Sequence, residues 1–317
     1  MRIREIATMA IVAVSTVVFA HDADTLAFYA FKEGDIGTSL SGKTIANDAG
    51  NAYSGTVTIN SGTVEYRADI PGAYVFSGES YGETVICENP QSVHFSGNST
   101  SGSQLISFAD LGTAVSSNDD FTVEFFFKYG VDDAGANKTI PLLAMNCGLV
   151  YNPNKAGQAG EGQPGLFGIV IHGSPDQFFD AYVVDRQFHR SRVTSNGATY
   201  YGMCFDDGLW HHAAVVYQSS TKVITVYLDY GVTSVQRSSP LVGSGGTAKE
   251  ILEDVNPLTL GNGGFRGLIS CVRISKCVRT TDTFLRCSSA CSAFPVLMQK
   301  RLLYSFAADL SPRCRLV

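Results

Sequence analysis

The sequence predicts an all-β chain folded as an antiparallel two-sheet β-sandwich. Its apolar residues recur with period two rather than the helical 3.6. They come in short runs separated by Gly, Ser, Asn and Asp, the punctuation of strands and turns. The intervals between runs leave no room for the crossover helices that a parallel sheet requires. A content of 44% hydrophobic and 16% charged residues suits a folded domain, and 317 residues permit one large sandwich or two smaller units.

The elements follow in order. Residues 1–20 differ from the rest: Arg2 and Arg4 precede an apolar run from Ile6 to Ala20, with small residues at its end. This reads as a secretory signal peptide cut before His21, and an uncleaved anchor is the alternative. Residues 26–31 form the first strand, and residues 32–51 are rich in turn formers. Phe121, Val123, Phe125 and Phe127 share one face of the next clear strand, with Thr122, Glu124 and Lys128 opposite, so one core face is expected. Strands at 166–171 and 181–184 follow, then a polar connection over 185–204. The strongest hairpin pairs 210–217 with 223–229 across a short loop, and its first arm is apolar on both faces, as a central strand would be. Strands at 258–261 and 268–274 complete the set. The module therefore covers residues 21–287, and 288–317 is a poorly structured C-terminal tail. Leu303-Tyr304-Ser305-Phe306 in that tail echoes Phe28-Tyr29-Ala30-Phe31, by coincidence or as the start of a truncated second copy.

Charge and cysteine content narrow the function. The formal net charge is −6 and no Lys/Arg track is present, which argues against nucleic acid as a partner. Nothing after residue 20 is apolar over the length of a bilayer span, so no transmembrane segment is expected in the mature chain, which would be secreted or held at the cell surface. Eight cysteines in an exported chain imply disulfides. Cys271 and Cys277, in what reads as one strand, stand too far apart to pair with each other. A Cys287–Cys291 bridge across one helical turn is feasible, but the connectivity stays open. The C-terminal cysteines lack the close CxxC pairs of structural zinc sites.

Several segments, in order over roughly residues 25–285, carry a family resemblance. Phe28-Tyr29-Ala30-Phe31-Lys32-Glu33-Gly34 is similar to an opening strand, and Asp48-Ala49-Gly50-Asn51 to the turn after it. Ser92-Val93-His94-Phe95-Ser96-Gly97 and Asp120-Phe121-Thr122-Val123-Glu124-Phe125 match the next landmarks. Asp207-Gly208-Leu209-Trp210-His211-His212-Ala213-Ala214-Val215 is the most specific, with Val226-Tyr227-Leu228-Asp229-Tyr230-Gly231 resembling a Tyr-x-Asp-Gly turn with one residue inserted. Leu260-Gly261, Phe265-Arg266-Gly267-Leu268-Ile269 and Val272-Arg273-Ile274 look like closing strands. The whole resembles the laminin G-like jelly rolls of the concanavalin A-like lectin/glucanase superfamily.

The resemblance implies a jelly-roll sandwich and directs the search for chemistry. Related glucanases place two carboxylates on alternate residues of one strand, a pattern not found here; Glu250, Glu253 and Asp254 are the nearest cluster. No GxSxG, HExxH or phosphate-cradling glycine loop is present either. Related folds carry a structural Ca2+ at the rim, and Asp48 and Asn51 are the candidates here; Asp48 is either a ligand or a turn former. Trp210, the one tryptophan, is expected to anchor the core between the sheets. His211 and His212 point to opposite faces and suit hydrogen-bonded structural roles. Tyr200 and Tyr201, with Phe188 and His189 beside them, are the candidate ligand-binding residues, because aromatic faces next to hydrogen-bonding groups suit sugar rings. The expected function is a non-catalytic binding module for carbohydrate or an extracellular protein. A structural component of a surface layer and a glycan-cleaving enzyme are the alternatives.

Overall fold

In the computed structural model two antiparallel sheets face each other across one apolar core. It describes residues 22–50, 52–60, 62–71, 91–97, 104–108, 111, 119–129, 139–145, 167–172, 178–184, 189–194, 208, 210–237, 239–240, 258–261 and 265–285, the segments 139–145, 167–194 and 231–240 mostly as backbone alone. The expected signal peptide and C-terminal tail lie outside these residues.

The strands are β1 (Thr25–Tyr29), β2 (Thr44–Ile45), β3 (Gly55–Ile59), β4 (Val64–Arg67), β5 (Ser92–Ser96), β6 (Gln104–Phe108), β7 (Phe121–Tyr129), β8 (Thr139–Met145) and β9 (Phe167–His172). They continue with β10 (Phe178–Val184), β11 (His189–Thr194), β12 (His211–Gln218), β13 (Val223–Leu228), β14 (Gly231–Arg237), β15 (Ser239–Pro240), β16 (Leu258–Leu260) and β17 (Arg266–Ser275). One sheet has eight strands, ordered β14-β13-β12-β7-β17-β5-β4 with β1 also on β17; the other has nine, ordered β15-β11-β10-β9-β8-β16-β6-β3-β2. Every pairing is antiparallel. The predicted sandwich and hairpin are thus present. The expected polar connection over 185–204 contains a strand, β11, whose His-Arg-Ser-Arg-Val-Thr sequence hides the apolar alternation.

Alternation fills the space between the sheets. Phe121, Val123, Phe125, Phe127 and Tyr129 from β7 meet Ala213, Val215 and Tyr217 from β12 and Val57, Ile106, Phe108 and Ile169 from the facing sheet. Tyr29 and Phe108 join the two sheets directly, with ring centroids 4.2 Å apart. Truncating one such ring to Ala costs about 3–5 kcal/mol. Gly261, at φ +81°, lies where a side chain would strike the Phe95 ring, so backbone conformation and packing both call for glycine.

The outer side of the eight-stranded sheet departs from expectation. β7 was read as having one core face, yet Thr122, Glu124 and Phe126 are as buried as the phenylalanines opposite them. The cause is the segment after β17, which folds back over this face through a short 3-10 turn, Thr281–Thr283. Phe284 joins Ala214, Val216 and Tyr230, while Leu285 joins Phe28, Phe126, Trp210, Leu268 and Cys271. Trp210 is buried, at 6% exposure, but in this outer cluster and not between the sheets. It shares the parity of His212 and Ala214, which fixes the face.

Both lateral edges are closed by chain that crosses from sheet to sheet. At one, a single residue separates β14 from β15, which pairs in the other sheet. At the other, residues 37–40 add to β4 through Gly37 N to Tyr66 O (2.8 Å), Tyr66 N to Thr38 O (3.1 Å) and Leu40 N to Val64 O (2.8 Å) before the chain enters β2. The free edge of β1 is blunted by Asn47, whose Oδ1 accepts from Phe28 N and whose Nδ2 donates to Leu26 O. Such coverings prevent edge-to-edge association. In β17 a bulge at Cys271, φ +48°, marks the exchange of one neighbour for another: Ile269 pairs with Val93 of β5, and Val272 with Tyr29 of β1. Cys271 is buried in the outer cluster. Cys277 lies beyond the strand as a free thiol.

Candidate functional site

The strongest chemistry among the described residues is a charged cluster inside the outer layer. Glu124 of β7 and Arg273 of β17 sit opposite each other in register, and both side chains are excluded from water. Arg273 donates from Nε to Glu124 Oε1 at 2.7 Å and from Nη2 to Thr283 O at 2.6 Å. The other carboxylate oxygen accepts from the Leu285 amide at 2.6 Å and faces His212 Nε2 at 3.3 Å. Burial pushes the Glu124 carboxyl up, but Arg273, His212 and the Leu285 amide outweigh it and hold the group below the usual carboxylate range. An ion embedded in two apolar strands therefore grips the returning chain by its backbone.

The hairpin turn after β13 completes that grip. Leu228 pairs with Gly231, so Asp229 and Tyr230 form a two-residue turn, with φ +47° and +67°. The residue inserted relative to the Tyr-x-Asp-Gly pattern is Tyr230. Its ring stacks on His212 at 4.5 Å and 8°, and its hydroxyl donates to Leu285 O at 2.8 Å. These contacts hold a bulky residue in a left-handed conformation that it would otherwise avoid. Asp229 accepts from His212 N at 2.9 Å and bonds His211 Nδ1 at 2.9 Å. His211 lies beside Phe127 on the inner face and His212 beside Phe126 on the outer, so the two histidines serve opposite faces as their spacing indicates.

Other ionisable groups also tie the frame. Arg279 forks onto both oxygens of Asp22 (2.6 and 3.0 Å) and donates to Ser275 Oγ (2.6 Å), fastening the chain before β1 to the chain after β17. Asp69 accepts from Trp210 Nε1 at 2.8 Å and from Lys128 at 2.7 Å.

The expected site residues fare differently. Asp48 takes the Lys32 ammonium on one oxygen and the Ala30 amide on the other. A lysine ammonium thus sits on this carboxylate, and Asn51 lies outside the described residues. Among those residues no group of three potential metal ligands occurs. Tyr200, Tyr201 and Phe188 also lie outside them, and of His189 only the backbone is described. His189 opens β11, whose far end is Thr194, roughly 17 Å away at strand spacing. That far end is shared with Phe178 of β10 and His172 of β9 through the register.

No family model matches the chain. The search of curated proteins also finds no match. Among solved structures the chain is similar to domain 4 of AbnA, a GH43 extracellular arabinanase from Geobacillus stearothermophilus solved with arabinotriose. That likeness has 16% identity and a TM-score of 0.45, covering 83% of this chain and 97% of that one. The receptor-binding domain of botulinum neurotoxin type G has 10% identity and a TM-score of 0.42, and the serotype D binding domain 10% and 0.44. Each of these two covers 82% of this chain, which spans about half of their length (49%).

Proposed function

We propose that this chain is an exported, laminin G-like binding module that engages carbohydrate or an extracellular protein without turning it over. The observation behind this reading is the unequal treatment of the two sheets. The eight-stranded sheet is covered on its outer side by its own chain, and Glu124, Arg273, Asp22 and Arg279 are spent on holding that cover and the chain ends in place. The nine-stranded sheet is open along the outer side of β3, where Thr56 and Thr58 are exposed, while Thr259 of β16 on the same side is buried. A frame locked on one side and presented on the other suits recognition. The apolar leader and eight cysteines favour an extracellular setting with further disulfides.

The test is binding of the mature chain to a glycan and extracellular-protein array, with and without calcium, alongside reducing-sugar release from polysaccharides. Saturable retention without sugar release is expected. Self-association with no array binding would move the reading to a surface-layer component, and sugar release would move it to an enzyme.

A further inference from the structure

The segment that returns over the eight-stranded sheet lies there as a strap in a groove, and the groove holds it by features that any copy of the chain can supply. Two apolar side chains enter the groove. Phe284 packs with Ala214, Val216 and Tyr230, and Leu285 with Phe28, Phe126, Trp210 and Leu268. The polar contacts all go to the strap's backbone: Arg273 donates to Thr283 O, Glu124 accepts from Leu285 N, and Tyr230 donates to Leu285 O. Each of these three side chains belongs to the frame. A second copy carries the same Thr283-Phe284-Leu285 and would meet every contact unchanged.

The turn that sends the strap back is poorly matched to its sequence. It joins Thr280 to Thr283 through Thr283 N to Thr280 O (2.9 Å), Thr280 N to Thr283 Oγ1 (3.1 Å) and Thr283 Oγ1 to Thr280 O (3.0 Å). Thr280, Asp282 and Thr283 are exposed, so water replaces these bonds at little cost when the turn opens. Threonine is β-branched and favours extended chain, and a 3-10 turn has weak hydrogen-bond geometry of its own, yet Thr280, Thr281 and Thr283 are asked to make one. Straightened, the four residues span roughly 13 Å and carry Phe284 and Leu285 out of their own groove. Arg279, forked on Asp22, anchors the chain just before this hinge, so the strap moves alone. Val278, a large apolar residue at 40% exposure, stands two residues before the hinge.

We infer that two copies of this chain associate by exchanging straps, so that Thr283–Leu285 of each lies in the outer groove of the other. Exchange keeps every groove contact, and its balance is therefore set by the turn it opens and the surface it newly buries. The short hinge places the two Val278 side chains near the two-fold axis, where they cover each other. Lys276 and Asp282, exposed and opposite in charge, flank the hinge, so the two copies meet there without a like-charge excess. This goes beyond the binding reading above: the array tests that reading, and chain association tests this one.

The test is size-exclusion chromatography with light scattering on the mature chain over a wide range of concentration, with a non-reducing denaturing gel to identify disulfide-linked chains. Its variants are T283P, V278D and F284A/L285A. Wild type should form a non-covalent dimer whose Trp210 emission equals that of the monomer, because a leucine covers the indole in both. T283P removes the amide that closes the turn and biases Asp282 toward extended chain, so it should tighten the dimer about tenfold; V278D should weaken it about tenfold, and F284A/L285A should abolish it. A mixture gives a second readout that stands even where a single variant does not fold. E124A has an intact strap and a damaged groove, F284A/L285A the reverse, and together they should form a heterodimer with one complete pair and with Trp210 more protected than in either alone. Monomer at every concentration in both wild type and T283P overturns the exchange. So does a dimer that is only disulfide-linked, a dimer undiminished in folded F284A/L285A, or a mixture that behaves as the sum of its parts.

Discussion

Replacing Glu124 is the sharpest perturbation of this frame. In E124A, Arg273 keeps a 1% exposed side chain but loses both its bonds to the carboxylate, and the Leu285 amide loses its acceptor. Removing one partner of a buried ion pair costs about 3–5 kcal/mol, since the remaining charge is stranded. The orphaned amide adds about 1 kcal/mol or more. Against a total stability of about 5–15 kcal/mol, the loss is about a quarter of the whole or greater. Gln retains one acceptor oxygen, so E124Q should fall at the lower end of the range. The double replacement E124L/R273M removes both charges together and should be recovered in large part, because two apolar side chains in an apolar layer carry no desolvation cost. Equilibrium urea unfolding followed by Trp210 emission and by far-UV circular dichroism measures all three. A loss below about 1 kcal/mol in E124A, or a double variant less stable than either single one, would refute the claim that the ion pair holds the outer layer.

Acid stability should follow the same groups. Glu124 and Asp22 are both held below the usual carboxylate range, Asp22 chiefly by its hydrogen bonds from Arg279. Their contributions are present above the unfolded value near pH 4 and lost as pH falls through the depressed folded values. The wild-type urea midpoint should therefore decline steeply below about pH 4, and that slope should flatten in D22N/E124Q; an unchanged slope counts against it. At the turn, Y230F removes only the hydroxyl bond to Leu285 and should cost about 1 kcal/mol, while Y230G trades relief of a left-handed conformation against loss of the stack on His212. Thermal melting of the two variants checks this, and Y230G more stable than wild type would show that relief of the left-handed conformation outweighs the contacts of the ring. With Lys32 on Asp48, calcium and chelator should leave the melting temperature of the wild type equal; a calcium-dependent rise that D48N abolishes would show that the ion displaces the lysine.

The parts legible in the sequence were those encoded by period-two alternation. Phe121, Val123, Phe125 and Phe127 announced the inner face of β7, and the apolar run from Ala213 to Tyr217 announced a central strand. β11 went unread because alternation of Arg190 and Arg192 with Ser191 and Val193 carries a face preference without hydrophobic contrast. The outer layer was hidden for a different reason. A strand covered on one side by a return of its own chain looks locally like one covered by another sheet or by water, and the cover, Phe284 and Leu285, lies more than 150 residues from the glutamate that anchors it (161 to Leu285). One signal was available. Glu124 interrupts a run of phenylalanines and Arg273 interrupts Cys-Val-Ile-Ser, and a single charge in each of two apolar strands asks for an opposite partner. Trp210 was misplaced by the same assumption, since its burial was inferred correctly but assigned to the one interior then expected.

This asymmetry also bears on how the module could be used. A sheet sandwiched between the core and its own returning chain cannot shift its register without breaking the Glu124 grip, the Tyr230 turn and the Asp22–Arg279 fork together. The nine-stranded sheet has no such cover along β3, where Thr56 and Thr58 are exposed. Among the described residues, buried charge is concentrated on the outer side of the eight-stranded sheet. Changes at the exposed Thr56 and Thr58 should therefore leave unfolding midpoints nearly untouched, the reverse of changes at Glu124.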